Sequence, residues 1–136
     1  MSEKKLTASL EDYLEIIYTK LEENSRVKAI EISKELKVSR ASVTEALKKL
    51  EKEGLISYGR YESIAITDAG ILKAKEVINK HKILQEFFEQ ILGLAAEDAV
   101  INACKIEHVI SEEAFDRLKN FSEFCKKNNI AENFNK

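Results

Sequence analysis

The sequence predicts a mostly α-helical protein, a winged helix-turn-helix followed by a second, helical domain. Three observations carry this. Apolar residues recur at three- and four-residue steps through most of the chain; the period changes to alternation only after Gly54; and the 136 residues include no proline and only four glycines.

The first helix is expected from Leu6 to Glu23. Leu10, Tyr13, Leu14, Ile17, Tyr18 and Leu21 follow the helical period, and ENS at 23–25 ends it. Ser9 is the expected N-cap, with Asp12 three residues on as in a capping box. The stretch VKAIEISKELKVSRASVTEALKKLEKEGLI then holds two short helices joined by KVS. Ala29, Ile32 and Leu36 line one side of the first, and Val43, Leu47 and Leu50 one side of the second. Ser39 fits the N-cap of the second helix and Gly54 its C′ position.

LISYGRYESIAIT reads as two short strands, with Ile56, Ile64 and Ile66 inward and Gly59 near the tip. A hairpin directly after the second helix of a helix-turn-helix is a wing. Thr67 caps a long helix that ends at Gly93. Another helix is expected from about Ala96 to Val109, and a last one capped by Ser111 with Ala114, Phe115, Leu118 and Phe121 on its apolar side.

The net charge of −2 is unevenly spread. Residues 26–60 hold nine Lys/Arg against five Asp/Glu, whereas residues 1–25 hold three against six and residues 81–136 seven against ten. Binding to nucleic acid depends on such a local basic face rather than on the total charge. In a helix-turn-helix, the start of the second helix reads base edges while neighbouring groups hold phosphates. The residues placed for this are Ser39, Arg40, Ser42, Thr44 and Glu45, with Lys48 and Lys49 nearer the backbone and Arg60 and Tyr61 at the wing.

The second half carries different chemistry. In CKIEHVIS, Cys104, Glu107 and His108 stand at i, i+3 and i+4, so a helix would present a thiol, a carboxylate and an imidazole on one turn. Such a set accepts Fe(II), Mn(II), Co(II), Ni(II) or Zn(II), but three ligands seldom fill a shell. His81, the only other histidine, and the i, i+3 carboxylates Asp12 and Glu15 are the further donors available. Taken singly, each has an ordinary structural explanation, Cys104 as a small core residue and Glu107 as solvated surface. No His-Glu-x-x-His run or nucleophile arrangement points to an enzyme, so a metalloenzyme is the weakest alternative. A winged-helix regulator not controlled by metal is the stronger one. Cys125 has no partners at ligand spacing and is expected to be a buried or bystander thiol.

The order and spacing of SLEDYLEIIY, the winged helix-turn-helix, KHKILQEFFEQILGL and NACKIEHVISEEAFDRL resemble the diphtheria toxin repressor family, which includes the manganese transport regulators. The resemblance implies a dimeric, metal-activated transcriptional repressor of metal homeostasis genes on a palindromic operator. Its domains would be residues 1–72, binding DNA, and residues 73–136, binding metal and dimerising. Asp12, Glu15, His81, Glu107 and His108 match the ligands of the manganese-type members. Cys104 departs from them, because manganese-type members have glutamate there and iron-type members cysteine. The iron-type members in turn have methionine at the position of Asp12, and a glutamate and a histidine where this chain has Gln85 and Val100. A thiolate in the set favours Fe(II), with Mn(II) next. Ile83, Leu84, Phe87, Phe88, Ile91 and Leu92 are the expected dimer contacts. The SH3-like third domain of many iron-type members is not expected in a chain of this length. The start MSEKKLTASL lacks the apolar core of a signal peptide and no apolar run is long enough for a membrane span, so a cytoplasmic protein is expected, with no small organic substrate.

Overall fold

The computed structural model of the protein describes residues 8–24, 26–59 and 63–130. The chain divides into two compact units, Met1–Val77 and Ile78–Lys136.

The first unit is a winged helix. Its elements are α1 (Ala8–Asn24), α2 (Ala29–Leu36), α3 (Arg40–Lys52), the strands β1 (Ile56–Tyr58) and β2 (Ile64–Ile66), and the start of α4 (Asp68–Glu86). The helical period of α1 turns Tyr13, Leu14 and Ile17 inward, where they meet Ala29 and Ile32 of α2 and Val43, Ala46, Leu47 and Leu50 of α3. Ile56, Ile64 and Ala74 close the same core from the wing and α4. Ser9 lies inside α1 and is not its N-cap, because the helix already includes Ala8.

Local chemistry fixes the turn into α3. Lys37 takes a left-handed conformation (φ 57°) that ends α2. Ser33 Oγ donates to the Val38 carbonyl at 2.6 Å, and the Val38 N–H returns to the Ser33 carbonyl. Ser39 then caps α3, its Oγ accepting from the Ser42 N–H at 3.1 Å. At the other end of α3, Gly54 has φ +76°; its N–H donates to Glu51 O and the Leu55 N–H to Leu50 O, the paired bonds of a Schellman cap.

The wing is antiparallel, with Ile56 opposite Ile66, Ser57 opposite Ala65 and Tyr58 opposite Ile64. Glu51 ties it to α3 by accepting the Tyr58 N–H at 3.0 Å. Thr67 joins three segments: its hydroxyl donates to Gly54 O at 2.7 Å and accepts from the Gly70 N–H at 3.0 Å, capping α4. Gly70 has no room for a side chain, since a Cβ there would stand 2.0 Å from the Leu55 carbonyl oxygen.

In the second unit the remainder of α4 passes into a π-helical turn over Phe87–Ile91, which stops at Gly93 (φ 76°). Two further helices, α5 (Ala96–Ile106) and α6 (Glu112–Lys127), pack against that turn. Ser111 caps α6 by accepting the Ala114 N–H at 3.1 Å. Lys126 bridges from α6 to Glu86 at 2.9 Å, and the Lys80 ammonium lies over the Phe115 ring. The buried face of α6 differs from the expected one: Phe121 is 53% exposed and Ala114 is exposed, while Ser122 and Cys125 are buried. Phe115 and Leu118 of the expected face are half-buried, and the inward stripe continues from them through Ser122 and Cys125 rather than Phe121. Among the described residues, no helix is long and apolar enough to cross a membrane.

Candidate metal centre and nucleic-acid interface

Three of the four donors in the second unit converge. α4 supplies His81 and α5 supplies Cys104, while Glu107 follows directly as the C-cap of α5. His81 Nδ1 lies 3.2 Å from Glu107 Oε2 and 3.8 Å from Cys104 Sγ. One ligand atom from each residue falls within 4.8 Å of the others. Bonds of about 2.0–2.3 Å to one ion place neighbouring donors about 3–4 Å apart, so modest rotamer adjustment suffices. His108 stands on the other side of Glu107, its Nε2 3.4 Å from Oε1.

α5 ends at Ile106, short of the expected Val109, but turn geometry continues through 107–109: the Glu107 N–H still donates to Ala103 O and the Ile110 N–H to Ile106 O. The i, i+3, i+4 arrangement therefore survives. It also sits at the helix C-terminus, where the carbonyl dipoles favour a cation.

Burial makes the carboxylate the telling member. Glu107 is 5% exposed, not the solvated surface residue its type alone would give. A carboxylate taken out of water needs a charged or hydrogen-bonding partner. The imidazoles of His81 and His108 flank it, and they pair with it as ions only when protonated. A divalent ion on this same donor set would neutralise thiolate and carboxylate together, leaving both imidazoles neutral. The residues fit such an ion.

Asp12 and Glu15 lie on α1 in the first unit, one turn apart, Asp12 exposed and Glu15 half-buried. Of the expected dimer contacts, Leu84 is fully buried and Ile91 nearly so, so these two serve the chain's own core rather than a partner. Ile83, Phe87 and Phe88 are half-buried, and Leu92 is 44% exposed. Val100 and Ile101 on α5 are also exposed, which the sequence reading missed. Their signal was an apolar pair beside the small residues Ala99 and Ala103, with Ile101 on the side of the helix opposite them.

On α3, Arg40, Ser42, Glu45, Lys48 and Lys49 are exposed on one side while Val43, Ala46, Leu47 and Leu50 are buried on the other. Thr44 is half-buried, and Ser39 is exposed although its Oγ serves as the cap. Exposed Lys37, at the end of α2 in the turn before α3, and Lys52, the last residue of α3, extend its supply of cations. The excess of basic residues over 26–60 was the signal for both. Arg60 and Tyr61 lie outside the described residues.

Two family models account for nearly the whole chain: the N-terminal DNA-binding domain of the iron dependent repressors matches residues 5–64, and their metal binding and dimerisation domain matches residues 67–132. The chain belongs to the iron dependent repressor family. An uncharacterized HTH-type transcriptional regulator of Methanocaldococcus jannaschii is 41% identical over 122 residues, covering 89% of this chain and 98% of its own. The HTH-type transcriptional regulator MntR of Shouchella clausii is 33% identical, covering 90% and 85%. Among solved structures, a manganese-dependent transcriptional repressor in complex with manganese superposes with a TM-score of 0.75 at 26% identity over 85% of this chain. The chain spans about half the length of that repressor, 53%. Like the rest of this repressor family, the protein is a metal-dependent transcriptional regulator and not an enzyme.

Proposed function

We propose that this repressor acts in the cytoplasm as a homodimer, binding a palindromic operator when Fe(II) occupies a centre built on His81, Cys104, Glu107 and His108, with Asp12 and Glu15 as the ligands contributed by α1. The observation that carries the reading is the convergence of the His81, Cys104 and Glu107 donor atoms within 4.8 Å. The preference for Fe(II) rests on the Cys104 thiolate, a softer donor than the carboxylates. Mn(II) is the second reading, favoured by Asp12 and Glu15 and by likeness to a repressor solved with manganese.

A bound divalent ion supplies a fixed positive charge that draws the thiolate, carboxylate and imidazole donors into one arrangement. The chain's own residues do the rest. His81 and Glu107 link α4 to the end of α5, and the carboxylates of α1 couple this arrangement to the DNA-binding unit. Arg40, Ser42, Thr44 and Glu45 face the bases, and Ser39, Lys48, Lys49, Arg60 and Tyr61 hold the backbone and groove. Exposed Leu92, with half-buried Ile83, Phe87 and Phe88, offers apolar surface for the second copy. Two heads held about 34–36 Å apart meet successive major grooves. If only a fraction of dimers has that spacing without metal, DNA affinity falls to that fraction of its full value.

Selection from a genomic DNA library under anaerobic conditions, at one ionic strength, with chelator, Fe(II), Mn(II) or Zn(II), tests the reading. A palindrome enriched with Fe(II) supports it. Equal enrichment in chelator would leave a winged helix indifferent to metal.

A further inference from the structure

We propose that Glu45 determines sequence specificity by accepting a hydrogen bond from the exocyclic amino group of a cytosine in each half-site, and so excludes thymine and guanine from that position. The inference rests on the reading of α3 as the helix that enters the major groove.

α3 contains two acidic residues, and the structure separates their tasks. Glu51 is engaged by the wing, its Oε2 accepting the Tyr58 N–H at 3.0 Å. Glu45 stands on the exposed side with Arg40, Ala41 and Ser42, and its side chain is 71% exposed. It pairs with Lys49, one turn on, at 3.7 Å, beyond hydrogen-bond length and between two solvated groups. Such a contact gives little reason for a carboxylate on this face.

In a groove lined by phosphates, a carboxylate is repelled unless it meets a donor. An ionised glutamate accepts hydrogen bonds and donates none. On the major-groove edge, guanine shows N7 and O6 and thymine shows O4 and a methyl, all unfavourable to a carboxylate. Cytosine shows its N4 amino group. Adenine has an amino group at N6 but sets the N7 lone pair beside it, so cytosine is the base that suits an acceptor-only side chain. Glu45 thus gains affinity at one base and loses it at the others, specificity by repulsion as well as attraction. Lys49 neutralises part of the repulsion and stays within reach of the backbone.

The test uses the full chain with Fe(II), selecting from a randomised duplex library at one ionic strength with the wild type, Glu45→Gln and Glu45→Ala. Circular dichroism checks that both variants keep their helices. The wild type should enrich cytosine at one position of each half-site, and exchanging that C·G pair for T·A should weaken its binding by about tenfold, within the range a specific base contact gives. Glu45→Ala should bind both sites equally, and Glu45→Gln should shift the preference toward adenine. An unchanged base preference in Glu45→Ala, with affinity raised for every sequence alike, would overturn the inference and leave the proposed function standing. No enriched sequence for the wild type would overturn both.

Discussion

Nδ1 of His81 lies 3.2 Å from Oε2 of Glu107, joining the middle of α4 to the end of α5 through a carboxylate that is almost wholly buried. Cys104 stands one turn before Glu107, with its sulfur 3.8 Å from the same imidazole nitrogen. The thiol is exposed, so its replacement leaves the packing of α5 intact.

Cys104→Ala should therefore preserve the fold and weaken metal binding. Titration with Co(II) under anaerobic conditions should show a thiolate-to-metal absorption band in the wild type and none in the variant. Metal affinity should fall by at least about tenfold, a loss that even outer-shell partners produce. An unchanged titration would remove Cys104 from the centre.

Lys37 ends α2 with φ 57°, a conformation that costs an L-residue about 1–2 kcal/mol. Glycine relieves this strain but has more freedom to lose on folding. Lys37→Gly should raise stability by about 0.5–1 kcal/mol, read as a higher urea midpoint with an unchanged slope. A lower midpoint would mean that the lysine side chain contributes more than the strain costs.

Gly70→Ala should act in the opposite direction. The added methyl meets the Leu55 carbonyl at 2.0 Å, and α4 or the base of the wing must move. Overpacking of this kind costs about 1–3 kcal/mol or more. Thermal unfolding should register the loss, and DNA affinity should fall at saturating metal because Thr67 and Gly54 share the displaced junction.

Lys20 provides a pH-dependent test of the first unit. Its hydrogen bond to Glu35, at 2.7 Å, is the main reason its ammonium is held above the usual 10.5, and burial opposes this in part. A raised folded-state value means that the stabilisation is fully present below pH 10.5 and is lost as pH rises through the folded value. Lys20→Met should reduce stability at neutral pH and flatten its decline at alkaline pH. Parallel decline curves for the two proteins would contradict this.

What was legible in the sequence was local. Ser39, Thr67 and Ser111 each cap the helix they precede because capping needs only a short side chain and an amide two or three residues on. Gly54 is similarly dictated by the positive φ of its own turn. Where burial depends on neighbours, the residue pattern alone does not fix it. Ser122 and Cys125 lie on the buried face of α6 in place of Phe121, because the partner surface and not residue size selects the face. The π-helical turn over Phe87–Ile91 has no signature in the residue period, and it interrupts a helix that would otherwise run unbroken to Gly93. Glu107 could be identified as a donor from its spacing, but its burial depends on tertiary neighbours such as His81 of α4, which the spacing does not show.

The most direct test is the affinity of the selected operator for the wild type and Glu107→Gln, each measured anaerobically with Fe(II) and with chelator at one ionic strength. Glutamine keeps the shape and removes the charge that a cation would meet. Chelation should weaken the wild type by at least about tenfold, a typical coupling between an effector and DNA, and Glu107→Gln with Fe(II) should bind no better than the chelated wild type. Equal affinity in all four measurements would contradict metal control through this centre.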